Sequence, residues 1–337
     1  MERSSMANND HDDEGFLRKG DPYDLLHPFF KERLHLVRGQ KTSPVLPDDF
    51  MKPAGHWTKP DNVLTFDQKI YGPYGEIPIR VYCLQNGTNS SWLMWMHGGG
   101  FIGGSIDQPE ADAVCAELTS RTGVICVSPA YRLASCNGNH FPVALKEIMA
   151  VWEWIQHHAS RNENCRFFVG GASAGANLAA GLCVALSERK IRRPDGLLSA
   201  YGVFHGPEKP VIQGWESKTQ ILPEPLRLSR KRFKQMYINY LGSLDKLSQK
   251  AMPGQGDVSC FPHTGLVISE FDNLAPSSVL LARQLKSAHV PVETYFAVGM
   301  LHGFFNWYPV ARLEPSVQAL NFFSELIEQW QHSRSRE

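Results

Sequence analysis

Several things this chain has little of narrow its function before any motif is read. There is no long hydrophobic run: the longest apolar stretches, such as Trp92-Leu93-Met94-Trp95-Met96, fall far short of the ~20 residues that cross a bilayer, so no membrane span is expected. There is no net charge. Lys plus Arg (34) balance Asp plus Glu (34), which removes the electrostatic footprint of a nucleic-acid or anionic-membrane partner and leaves a small neutral molecule. There is no Cys-x-x-Cys, no His-Glu-x-x-His and no cysteine–histidine cluster at ligand spacing, and the adjacent His157 and His158 cannot share one helix face; no metal is expected. No Gly-Lys-Ser/Thr ending marks a phosphate loop, and no cofactor is expected.

The seven cysteines (Cys83, Cys115, Cys126, Cys136, Cys165, Cys183, Cys260) are an odd number and mostly sit inside apolar runs, which reads as free buried thiols. Residues 1 to 14 are acidic and polar with no apolar core of a signal peptide, so a disordered start and a cytoplasmic location are expected. On that reading the sequons at Asn86 and Asn89 are polar turns.

What is present is an α/β pattern long enough for a substantial core. Val63–Phe66 and Ile77–Tyr82 read as strands joined at Gly72-Pro73-Tyr74-Gly75. Further short apolar runs at 92–96, 124–127, 167–169, 197–203, 266–268 and 292–298 alternate with helical spacing at 110–121, 143–158, 176–189, 275–288 and 315–331. Strands alternating with crossover helices imply a mainly parallel sheet with helices on its flanks. Residues 1–60, with one amphipathic helix over Asp24–Arg38 and a connector punctuated by Pro44, Pro47, Pro53 and Pro60, form a lid segment. The core is expected in two parts, 61–205 and 254–337, separated by an insertion, 206–253, that joins the lid as a helical cap.

The chemistry centres on Gly171-Ala172-Ser173-Ala174-Gly175. An apolar run, Phe167-Phe168-Val169, precedes it and a proline-free helical stretch follows, the strand–turn–helix setting in which a serine can stand exposed on a strained turn between two glycines. Ser173 is therefore a candidate nucleophile. Upstream, His97-Gly98-Gly99-Gly100-Phe101-Ile102-Gly103-Gly104 follows a strand; backbone N–H groups there, unshielded by side chains, suit a developing oxyanion. A serine hydroxyl needs a base and an orienting acid. His302, in Gly299-Met300-Leu301-His302-Gly303, and Asp272, after the apolar run 266–268, stand in the order Ser173, Asp272, His302, with Glu270 as the alternative acid.

His97-Gly98-Gly99-Gly100 ahead of Gly171-Ala172-Ser173-Ala174-Gly175, with Tyr131-Arg132-Leu133-Ala134 and Phe141-Pro142 between, is similar to the hormone-sensitive-lipase family of α/β-hydrolases from about Val63 to Gln331. The resemblance implies the α/β-hydrolase fold and an oxyanion hole from the N–H groups of Gly98, Gly99 and Ala174. It also implies a serine carboxylesterase for short acyl groups, and a homodimer. An amidase, a sugar or natural-product deacetylase, and a non-catalytic receptor are the alternatives, the last opposed by His302. Phe101, Phe304, Phe305, Trp307 and Tyr308 either wall an apolar pocket or belong to the core. Asp107 and Glu110 are either polar substrate contacts or helix-starting residues. The chain departs from the family pattern at Ala172, Ala130, Ser135-Cys136 and Asn273, the last standing where a proline usually follows the acid.

Overall fold

The computed structural model describes residues 19–39, 46–52, 57–87, 91–134, 138–159, 165–189, 191–206, 208, 212, 214–307 and 313–332. The acidic start, Pro44, Pro53, Asn89, Ser135-Cys136 and Tyr308 lie outside them.

Among the described residues eight strands form one sheet in the order β1-β2-β4-β3-β5-β6-β7-β8. The hairpin β1 (Val63–Gly72) and β2 (Gly75–Leu84) turns at Pro73-Tyr74 and pairs antiparallel; β2 is also antiparallel to β4. From there β4 (Ile125–Pro129), β3 (Ser91–Met96), β5 (Arg166–Ala172), β6 (Gly196–Ala200), β7 (His263–Phe271) and β8 (Val292–Leu301) run parallel. The central strands are continuous apolar runs because both faces are covered. Trp95, Phe168 and Leu198 point to one face; Met94, Val169 and Leu197 point to the other.

Each face carries its own layer. The first packs against α4 (Asp112–Thr122), α10 (Glu314–His332) and the N-terminal segment; the second packs against α5 (Val143–Ala159), α6 (Ala174–Arg189) and α9 (Ala275–Ser287). Between β6 and β7 the chain forms α7 (Trp215–Thr219) and α8 (Arg230–Leu241), whose Phe233, Tyr237, Tyr240 and Leu241 join the second layer. Among the described residues no helix is long and apolar enough to cross a membrane. The six described cysteines are unpaired, four buried and Cys83 and Cys260 partly exposed.

Two elements differ from expectation. The single helix over Asp24–Arg38 is broken into α1 (Pro22–Leu25), α2 (Pro28–Arg33) and a 3-10 turn at Leu34–Leu36, with α3 (Asp48–Met51) following. Pro28 is the reason: the residue before a proline is pushed out of the helical region, and His27 sits at ψ 134°. The strand expected to reach Val203 ends at Ala200, because Tyr201 turns into the left-handed region at φ 41°.

Candidate active site

Parallel strands place their C-terminal ends on one edge of the sheet, and the candidate residues collect there. Ser173 follows β5, the glycine loop follows β3, Asp272 follows β7 and His302 follows β8. Met96 of β3 lies opposite Gly171 of β5, so the glycine loop and the serine turn emerge side by side.

Ser173 adopts φ 53°, a left-handed conformation rare for a residue with a Cβ. Its N–H donates to Ala200 C=O at 2.9 Å, anchoring the turn to β6. A Cβ on Gly175 would lie 2.2 Å from Met96 O, and one on Gly171 would lie 2.5 Å from Gly175 C. The two flanking glycines thus let strand, helix and loop close on one another.

The structure brings Ser173, His302 and Asp272 into one line of hydrogen bonds. The Ser173 hydroxyl donates to His302 Nε2 at 2.9 Å, and His302 Nδ1–H donates to Asp272 Oδ2 at 2.7 Å. Asp272 is 2% exposed, and its other oxygen accepts the Leu274 N–H at 2.8 Å. Loss of hydration disfavours the imidazolium form of His302, but the charge and hydrogen bond of Asp272, with Glu110 nearby, outweigh it; the pKa lies above the ordinary 6.5. Tyr201 packs edge-on against the imidazole, with ring centroids 5.1 Å apart.

The glycine loop differs from expectation at Gly98. Its N–H already donates to the buried Glu110 Oε1 at 2.9 Å, so it is not the free donor the motif suggested. Gly99 and Gly100 adopt φ 115° and 61°, and Gly99 C=O accepts the N–H groups of Ile102 and Gly103. Ala174 opens α6, where a first-turn N–H has no partner inside the helix.

Glu110 does not start the helix, which begins at Asp112. It is buried ahead of α4, and its second oxygen accepts the Tyr201 hydroxyl at 2.8 Å. Burial holds its pKa above that of an ordinary glutamate, opposed by the Tyr201 hydrogen bond and the His302 charge. Sequence reasoning missed Tyr201, which falls inside the expected strand 197–203 and belongs to no motif. Asp107, by contrast, is exposed and pairs with Arg80 at 2.8 Å.

Residues 93–306 match a family described by the alpha/beta hydrolase fold. The chain is a member of the hormone-sensitive-lipase-like α/β-hydrolases. It is 29% identical over 257 residues to carboxylic ester hydrolase LipN of Mycobacterium tuberculosis, covering 71% of this chain and 64% of that one. It is 30% identical over 217 residues to the ethyl acetate hydrolase of Pseudomonas putida, covering 63% and 65%. The matches thus span just under two thirds of those two relatives. A solved esterase from Pyrobaculum calidifontis superposes with a TM-score of 0.69 at 25% identity, over 93% of this chain and 95% of that one.

In this α/β-hydrolase the four described aromatic residues considered for a pocket wall are packed inside. Phe304 and Phe305 lie against Tyr201, and Trp307 sits between Phe30 and Phe50. Phe101, at φ 68°, stacks on Tyr240 of α8 with centroids 3.8 Å apart. A cavity of about 620 Å³ opens instead beside α7 and α8, lined by Trp215, Leu228, Phe233, Asn273 and Leu274 among others. Asn273 is held at both ends of its carboxamide: the oxygen accepts the Leu228 N–H and the nitrogen donates to Thr219 Oγ1. Glu270, the alternative acid, is held by Lys218 at 2.7 Å and does not face His302 Nδ1.

Proposed function

We propose that this α/β-hydrolase is a serine carboxylesterase that works through an acyl-enzyme. The observation that carries the reading is the Ser173–His302–Asp272 line of hydrogen bonds, 2.9 Å and 2.7 Å, ending in a nearly inaccessible carboxylate. In this role His302 takes the Ser173 proton as the hydroxyl attacks an ester carbonyl, then returns it to the leaving alcohol. Asp272 holds the Nδ1–H tautomer and stabilises the imidazolium. Water repeats the cycle to release the acid. The N–H groups of Gly99, Gly100 and Ala174 hold the oxyanion, each preset donor lowering the barrier by ~3–4 kcal/mol. Gly98 shapes the loop through Glu110 instead of donating to substrate.

The N-terminal helices and the α7–α8 insertion act as a cap in this reading, and a short acyl chain is the preferred substrate. Support for the small acyl group comes from relatives named for ethyl acetate and acetyl ester hydrolysis. The six cysteines among the described residues, all unpaired there, suit a reducing, cytoplasmic setting. The test is a series of 4-nitrophenyl esters from acetate to palmitate, with a pre-steady-state burst measured on the acetate. A burst of one product per protein, lost in Ser173→Ala, with kcat/KM highest at short chains, is expected. Turnover that survives Ser173→Ala overturns the mechanism, and a maximum at long chains overturns the substrate class.

A further inference from the structure

The most unusual buried group outside the reacting atoms is an ion pair at the junction of the helical insertion with the two strands that deliver Asp272 and His302. Lys218 Nζ of α7 lies 2.7 Å from Glu270 Oε1 of β7, with side chains 5% and 0% exposed. The other carboxylate oxygen, Oε2, accepts the Gly299 N–H of β8 at 2.7 Å. Glu270 stands two residues before Asp272, and Gly299 three before His302. One carboxylate therefore joins three segments of chain: the insertion, the acid strand and the base strand.

Neighbouring bonds run in the same direction. The Trp215 indole N–H, also on α7, donates to the backbone carbonyl of Asp272 itself at 2.9 Å. Asn273, the next residue, is held by Thr219 at the end of α7 and by the Leu228 N–H. Gly299 is gripped from its other side by the N-terminal segment, whose His27 N–H donates to Gly299 C=O at 3.0 Å. A buried ion pair is a poor way to gain stability, since well-packed apolar residues of similar size do as well or better. Its strength is geometric: two charges in a dry site tolerate little displacement.

We propose that Lys218 and Glu270 are positioning residues through which the helical insertion sets the placement of Asp272 and His302, so that the insertion governs turnover as well as access. This rests on the esterase reading above. Misplacement of a reacting group by about 1 Å costs on the order of 100-fold in rate, so small slippage at this junction is enough to register.

Three variants test it. Lys218→Met/Glu270→Gln removes both charges together, leaves no lone buried charge and keeps an amide oxygen for the Gly299 N–H. Trp215→Phe removes the indole donor to Asp272 together with part of a buried ring, so its melting temperature is followed alongside. Lys218→Arg keeps the cation. Active sites are counted by burst titration with 4-nitrophenyl acetate, folding is followed by circular dichroism, and the low-field proton resonance of His302 Nδ1–H is recorded by NMR. With the fold retained, kcat per titrated site is expected to fall ~10–100-fold in the double variant, with KM little changed. Trp215→Phe is expected to lose ~3–10-fold, the worth of one hydrogen bond, and Lys218→Arg to recover most of the wild-type kcat.

Wild-type kcat per site in both the double variant and Trp215→Phe overturns the proposal, even where melting temperatures drop. Should the double variant not fold, Trp215→Phe decides alone. The NMR line keeps this separate from the enzymatic reading: a protein without esterase turnover refutes that reading. In that case, a His302 resonance shifted or broadened in the variants still supports the positioning role, and an unmoved one still removes it.

Discussion

Two glycine-bearing turns stand next to each other at the sheet edge, and their glycines are there for different reasons. In the loop after β3, Gly99, Gly100 and Gly104 have φ of 115°, 61° and 92°, backbone conformations that a Cβ disfavours. In the turn after β5 the left-handed residue is Ser173 itself, at 53°, while Gly171 and Gly175 have no positive φ. Their glycines yield space: a Cβ on Gly175 would press into Met96 O at 2.2 Å and His97 O at 2.5 Å. The first loop uses glycine for conformation and, at Gly99 and Gly104, for contact as well, since a Cβ there would lie 2.2 Å from Gly103 O and 2.2 Å from Gly98 O; the second uses it for contact alone, leaving the strain on Ser173. A shared richness in glycine thus hides two separate physical demands.

The largest effect that can break this comparison is chemical. Ser173→Ala is expected to lower kcat for an acetate ester by ~10⁴-fold or more with an unchanged circular dichroism spectrum, and Asp272→Asn by ~10³–10⁴-fold. Next come the glycines. Gly175→Ala forces a clash with the backbone of β3 and is expected to cost about 3 kcal/mol in urea unfolding, together with most activity. Gly100→Ala meets only Met236 at ordinary contact, 3.5 Å, so it carries the conformational penalty alone, ~1–2 kcal/mol. Equal costs at the two positions would collapse the distinction.

A smaller effect of opposite sign sharpens it. If Ser173 bears the strain, Ser173→Gly should be more stable than Ser173→Ala by about 0.5–1 kcal/mol, because glycine enters the left-handed region freely and loses part of that gain to its unfolded-state entropy. A Gly variant less stable than the Ala variant argues for an unstrained turn. The last prediction is a pH limb. In the proposed mechanism neutral His302 is the base, so kcat/KM is expected to fall as pH drops through its pKa; because that pKa is raised in the folded protein, the midpoint should lie above 6.5. A midpoint below 6.5 in a kcat/KM profile against pH contradicts the electrostatic account of Asp272.

Much of the fold was legible. The β1–β2 hairpin was marked by the Gly72–Gly75 turn, and the central strands by apolar runs, because burial on both faces leaves a local record. Ser173, Asp272 and His302 were legible as a set because the parallel order sends consecutive strand ends to one edge. Helix ends were less so: Pro28 breaks the N-terminal helix at a point where apolar spacing alone runs straight through. The roles of Gly98 and Glu110 were not legible. The Glu110–Tyr201 bond spans 91 residues and Lys218–Glu270 spans 52, and no periodicity within an element encodes such a pairing.

By itself, then, the sequence determined the residue types a serine hydrolase needs, their order along the chain and the alternation of strands and helices. Those properties follow from local chemistry: burial repeats at 2 or 3.6 residues, and a nucleophile on a tight turn requires small neighbours. Only the tertiary structure decided which N–H of the glycine loop is already engaged and which carboxylate faces His302. It alone tied the helical insertion to the two strand ends through Lys218 and Glu270. Hydrogen bonds form across space at about 2.7 to 2.9 Å, where a shift of one ångström changes the partner, and distance of that kind exists only once the chain has folded.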